Sequence, residues 1–144
     1  MAEMVLKSAF VRIGATGSTA TLTNISGNVT AITLTYSRDL LEVTAMGDKS
    51  KSRLGGLYDW TATIDLNQNY GSSTIDKTFF NMVSSTGGFL TVRPTTASAS
   101  ATNPTYRGHC LLGSYTPIAG GVGEVGTFSV TLEGNSTMSR AITS

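Results

Sequence analysis

The chain has 144 residues, with ten Lys/Arg against nine Asp/Glu for a net charge of +1, and only 13% charged residues. That length reads as one domain, 1–144, able to bury a core without staples, and the balance of charge excludes an overall bias toward nucleic acid, membrane or acidic substrate. A single cysteine, Cys110, excludes an internal disulfide framework, while sixteen glycines and many Ser/Thr predict a neutral, hydroxyl-rich surface.

Residues 1–28 are the least patterned and read as an extended N-terminal segment, with Phe10-Val11-Arg12-Ile13 as a short strand. The apolar residues before Ile13 are scattered and broken by Lys7, Ser8 and Arg12, unlike a signal peptide, so synthesis in the cytosol is expected. From Val29 the period is two, with Thr30, Ile32, Leu34 and Tyr36 on one face. Ser37-Arg38-Asp39 reads as a turn, and Leu40 to Thr44 as a further short strand. Ala45 to Gly56 has no period and reads as a long inter-strand loop, with Lys49, Lys51 and Arg53 between small residues.

The clearest strand follows. Tyr58, Trp60, Ala62, Ile64 and Leu66 alternate with Asp59, Thr61, Thr63, Asp65 and Asn67, which predicts one buried and one wet face. A helix is expected over Thr74 to Ser84, with Ile75, Phe79, Met82 and Val83 on one face. Ser73-Thr74-Ile75-Asp76 fits a capping box at its start, and Gly87-Gly88 ends it. Phe89 to Arg93 is a strand ended by Pro94, and Thr95 to Thr102 is a low-complexity loop. The last two strands are Tyr106 to Leu112 and Thr127 to Glu133, joined by a Pro/Gly-rich turn. Short strands, turn-rich connections and one helix predict a mainly β domain: two packed antiparallel sheets, a sandwich or barrel, with one flanking helix. Its expected core is Trp60, Ile64, Leu66, Phe79, Val92, Phe128, Val130 and Leu132.

Catalytic and cofactor signals fail on their own geometry. Gly121-Val122-Gly123-Glu124-Val125-Gly126 spells G-x-G-x-x-G, but Pro117 precedes it and an alternating strand follows. A dinucleotide site needs a strand before it and a helix after it, so these glycines read as a tight turn. His109 and Cys110 are neighbours on a strand and point to opposite faces, which places Cys110 in the core and His109 outside. Asp59 and Asp65 share a face but lie roughly 20 Å apart at strand rise, too far for a paired-carboxylate mechanism. No catalytic residue, metal site or cofactor is expected. Three glycosylation sequons, at Asn24, Asn28 and Asn135, read as chance matches in so Ser/Thr-rich a chain.

Two motifs carry a family resemblance. Asn103-Pro104-Thr105-Tyr106-Arg107-Gly108 opens a strand, followed by the turn Pro117 to Gly123 and the closing strand Val130-Thr131-Leu132. Upstream, Gly47-Asp48, a basic stretch and Gly56-Leu57-Tyr58-Asp59 re-enter a strand. In this order the blocks resemble the tail-tube (major tail) proteins of long-tailed bacteriophages. The resemblance implies a structural virion protein of the tail, assembled in the host cytoplasm as hexameric rings that stack into a conduit for DNA ejection. Its implied partners are other copies of itself and the tape-measure and tail-terminator proteins, with DNA passing through unbound and no membrane involved.

Under that resemblance the stretch containing Gly47, Asp48, Lys49, Lys51, Arg53 and Gly55 is an inter-ring loop, with a merely solvated loop as the alternative. Asp59, Thr61, Thr63 and Asp65 are a candidate lumen face, the outer surface being the other place for them. The rival function is a virion decoration or carbohydrate-binding β-sandwich. It needs an exposed aromatic platform, whereas Tyr58 and Trp60 fall on the core face.

Overall fold

The structure, a computed structural model, describes residues 8–14, 23–68, 70, 74–84 and 87–143. Its strands are β1 (Phe10–Gly14), β2 (Thr23–Asn24), β3 (Val29–Glu42), β4 (Arg53–Asn67), β5 (Gly88–Arg93), β6 (Thr105–Leu112), β7 (Thr127–Gly134) and β8 (Ser139–Ala141). The helix α1 spans Thr74–Ser84, with the bounds that its apolar spacing predicts. The capping box assigned to its start begins at Ser73, outside the described residues.

All strands join one antiparallel sheet in the order β2-β1-β5-β6-β7-β4-β3, with β8 paired to β6. The two expected layers are the two ends of this sheet. It curls until Ile32 and Leu34 of β3 share a groove with Val92 of β5 and Tyr106 of β6. One core cluster results. It takes Val11 and Ile13 from β1, Leu90 and Val92 from β5, and Cys110 and Leu112 from β6. Phe128, Val130 and Leu132 come from β7, and Ile75, Phe79 and Met82 from α1. Each of the eight core residues named from the sequence is buried. Val83, grouped with them by helical spacing, is 44% exposed on the outer side of α1.

Two sequence expectations are corrected. Ser37-Arg38-Asp39 is not a turn: β3 runs unbroken for 14 residues and pairs with the 15 residues of β4 from Glu42↔Arg53 to Val29↔Leu66. Arg38 fits a ladder because its guanidinium lies 5.8 Å from the centre of the Tyr58 ring opposite. A bulge between Arg38 and Leu40 takes up an extra β4 residue, next to Gly55 and Gly56. The loop is therefore shorter than Ala45 to Gly56, ending where Arg53 enters β4. A second bulge, at Thr30, shifts the face of β3, so Val29 joins Ile32 and Leu34 against the core while the Thr30 hydroxyl donates to the Asp65 carbonyl.

Trp60 sits where the β3–β4 ribbon leaves the body. Its side chain is 1% exposed and its indole N–H donates to the Ser136 carbonyl at 2.9 Å. Gly108 of β6 and Gly134 of β7 make room for the ring. A Cβ at Gly134 would come within 2.6 Å of the indole and 2.7 Å of the Trp60 carbonyl, and one at Gly108 within 2.9 Å of Cζ2.

Trp60→Ala is expected to cost about 3–5 kcal/mol as a large-to-small core change. Gly134→Ala is expected to cost about 1–3 kcal/mol by overpacking, because a backbone carbonyl cannot step aside as a flexible side chain does. Chemical denaturation measures both. Native Trp60 fluorescence with the emission of a water-exposed indole would refute this seat.

Candidate assembly surfaces

Three surfaces of this fold are candidates for contact. The first is the β3–β4 ribbon. The core cluster takes no described residue between Leu34 and Trp60, so the distal ribbon stands clear of the body. Its side chains are nonetheless apolar: Leu40, Leu41, Leu54, Leu57 and the Tyr36–Tyr58 pair are each about half exposed or more. The two tyrosines stack at 5.9 Å, and Arg38 reaches the Tyr58 hydroxyl and packs on Gly55, where a Cβ would fall 2.4 Å from its guanidinium carbon. So much uncovered apolar surface in one place marks an interaction site rather than ordinary exposure.

The tip of this ribbon has its own internal order. Gly47 adopts φ 94°, which closes a turn in which the Asp48 N–H donates to the Ala45 carbonyl and the Asp48 carboxylate accepts from the Ala45 N–H at 2.7 Å. The Thr44 hydroxyl accepts from the Ser52 N–H at 2.9 Å. Of the residues assigned to the loop from sequence, Gly47, Asp48, Lys49 and Lys51 sit in this tip, whereas Arg53 and Gly55 are already in β4. All but Gly47 and Gly55 are charged, and all six are exposed.

The second surface is the wet face of β4. Trp60, Ala62, Ile64 and Leu66 are buried, while Asp59, Thr63 and Asp65 are exposed and Thr61 is half-buried. Register extends this face sideways, to Thr33, Thr35 and Ser37 on β3 and to Ser129, Thr131 and Glu133 on β7. The Ser129 hydroxyl donates to the Asp65 carboxylate. Residues 29–37, 59–67 and 127–134 contain no lysine or arginine, so this part of the sheet presents mainly hydroxyls and carboxylates, with Ala31 beside Asp65. Basic residues lie farther along the same sheet, where Arg12 and Arg107 flank Thr91.

The third surface is the outer edge of β3, which ends the sheet order and has no strand on its far side among the described residues. A groove of about 600 Å³ runs beside it, with Ile32, Leu34 and Tyr36 on one wall and Val92, Tyr106 and Met138 on the other. Fourteen residues of open edge are a template for another chain.

The remaining sequence motifs take structural roles. Cys110 is buried and His109 is exposed, set edge-on against Phe89 at 5.0 Å. Gly120 and Gly123 have positive φ in the turn before β7, as a bent glycine loop requires. Trp60 is buried as expected, but Tyr58, expected beside it on the core face, is exposed and stacks on Tyr36, because the ribbon has already left the body at that point. Reading by local period missed the apolar ribbon. Its signal was present in Leu40-Leu41 and in Leu54 and Leu57, apolar residues that break the alternation on both sides of the tip.

No protein-family model and no curated protein matches the chain. Solved structures do. A chain in the virion of a native gene transfer agent particle aligns with a TM-score of 0.74 at 11% identity, over 96% of this chain and 99% of that one. A chain in the tail of an empty gene transfer agent particle, described with helical refinement and C6 symmetry, aligns at 0.69 and 12% identity over 90% and 92%. A chain of an extracellular contractile injection system, in its sheath/tube terminator structure in the extended state, aligns at 0.69 and 12% identity over 97% of both. The chain therefore shares its fold with these virion, tail and injection-system chains, in line with its sequence resemblance.

Burial pushes the Cys110 thiol up from an ordinary 9.0 to about 12. In the native protein at pH 8, Cys110 should resist a thiol reagent and react only on unfolding. Because its pKa is raised by folding, its contribution to stability is complete below pH 9 and falls away between pH 9 and 12. Fast labelling of the native protein at pH 8 would contradict this burial.

Proposed function

We propose that this chain is a structural virion protein: the repeating unit of a tail tube, assembled as six-membered rings that stack into a conduit through which DNA is ejected. The observation that carries this reading is the β3–β4 ribbon, a long apolar surface that the chain's own core leaves uncovered. The C6 tail among its structural neighbours supports the ring number, and full-length alignment to tube and tail chains supports the role. The open β3 edge supports closure of the ring, because pairing with a neighbouring sheet removes an aggregation-prone edge.

Within that tube the whole chain, 1–144, acts as one unit. The ribbon tip with Gly47, Asp48, Lys49 and Lys51, together with Arg53 and Gly55 at its base, is the inter-ring contact. The face of Asp59, Thr61, Thr63 and Asp65 lines the lumen. The lack of lysine and arginine on this stretch, with Arg12 and Arg107 only farther along the sheet, supports this assignment, since a basic wall would hold DNA through counterion release. The tube ends meet tape-measure and terminator proteins, and the assembled protein resides in the virion tail.

Electron microscopy of the purified protein is the direct test. Rings or tubes are expected, and monodisperse monomers at high concentration would overturn the reading. Replacing Lys49, Lys51 and Arg53 together with Glu should leave the fold intact and abolish elongation. Single reversals should do little, because exposed ion pairs are each worth under about 1 kcal/mol. Tubes of normal length from the folded triple variant would defeat the loop assignment. For the lumen, Thr63→Cys should react with a small thiol reagent in free subunits and be shielded from a bulky one in tubes. Equal reaction with the bulky reagent in both states would put this face outside.

A further inference from the structure

We infer that stacking is heterologous and that the ribbon tip of one copy seats on the glycine-rich β6–β7 loop, residues 113–126, of the copy in the next ring. The inference rests on the tube reading above and names the acceptor surface that reading leaves open.

β4 spans the subunit from one of these surfaces to the other. Its first residue, Arg53, adjoins the tip, and its last, Asn67, pairs with Thr127 at the foot of the glycine loop. Fourteen steps at about 3.3 Å put tip and loop roughly 45 Å apart, at opposite poles of the subunit. The loop is tied to its pole. The Gln68 N–H donates to the Gly126 carbonyl at 2.8 Å, and the Gln68 side-chain amide to the Pro117 carbonyl at 2.9 Å. The Tyr115 hydroxyl donates to Asp76 at 2.9 Å, and the Glu124 carboxylate accepts from the Gly121 N–H at 3.1 Å.

Both poles present apolar side chains to water on a fixed frame. Ile118 and Val125 are 85% and 72% exposed, and Val122 on the loop and Met46 on the tip are fully exposed. Their charges are complementary. No lysine or arginine occurs between Arg107 and Arg140, and Glu124 lies in the loop, whereas the tip carries Lys49 and Lys51 against one acid, Asp48, which is bonded to the Ala45 N–H. Tip against tip would oppose lysines, and loop against loop would oppose Glu124 with itself. Tip against loop pairs apolar with apolar and basic with acidic, and it repeats without closing, as an open stack must. A platform already held in shape loses little freedom on docking.

The test uses the full chain with Met46→Cys and Val122→Cys, singly and together, treated with a short bismaleimide under assembly conditions. Cys110 is buried and adds little background. The double variant should give a ladder of covalent oligomers beyond dimer, because its two thiols are too far apart to link within one subunit. An equimolar mixture of the single variants should give 46–122 linked dimers in at least tenfold excess over either variant alone, identified by peptide mass spectrometry. Tubes visible by microscopy without 46–122 links would overturn this contact while the tube reading stands. Subunits that remain monomers at high concentration would overturn the tube reading, and this inference with it.

Discussion

The seat of Trp60 between Gly108 and Gly134 is the constraint on which the rest of the molecule depends. β4 belongs to two structures at once: from Trp60 to Leu66 it is a core strand of the body between β7 and β3, and from Arg53 to Tyr58 it is one side of the projecting ribbon. Where the ribbon leaves the body is set by the residue at which burial begins. That residue is Trp60, held by apolar packing, by its N–H bond to Ser136, and by two glycines that admit the ring closely. A large aromatic residue with a satisfied polar handle is the strongest single anchor available to such a junction. The direction of the arm, and with it the placing of tip, edge and wet face, follows from one indole.

From that junction the sheet separates two kinds of chemistry by parity alone. On β4, β7 and β6 one set of alternate residues enters the common core, and the other set faces water. The dry set supplies the cohesion, each large apolar side chain stabilising by about 1.5–3 kcal/mol on burial. The wet set on β3, β4 and β7 needs only to be polar and uncharged or acidic, and hydroxyls meet that need with little side-chain entropy.

What was legible in the sequence was whatever local period encodes. Strict alternation after Tyr58 and the 3.6 spacing of Ile75, Phe79 and Met82 located β4 and α1 and four of the eight core residues, and the short runs of β5 and β7 located the other four. The continuity of β3 through Ser37-Arg38-Asp39 was not legible. Its cause is Arg38 lying across Tyr58 and Gly55, residues 20 and 17 positions away, which no local window contains. The curling of one sheet into two facing layers was hidden for the same reason, since it depends on which strands meet. Candidate residues at the tip and on the wet face could be read as groups. Their placement at a pole and on a face needed the register of β4 against β3 and β7.

The ribbon also explains how such a subunit avoids indiscriminate association. A two-stranded ladder without a core beneath it is marginal in water, so the distal arm depends on the Tyr36–Tyr58 stack, on Arg38 and on the bonds of its tip. These interactions define the shape of the arm but leave its leucines uncovered. Burying them against another copy adds stability to the arm and affinity to the contact in the same step, so ordering and assembly reinforce each other. Specificity comes from the tip. In the stack inferred above, Lys49 and Lys51 repel a second tip and direct the apolar surface toward the glycine-rich loop that carries Glu124. An arm stable enough to hold its shape, too apolar to stay bare and too basic to meet its own kind suits a subunit that adds in one direction only.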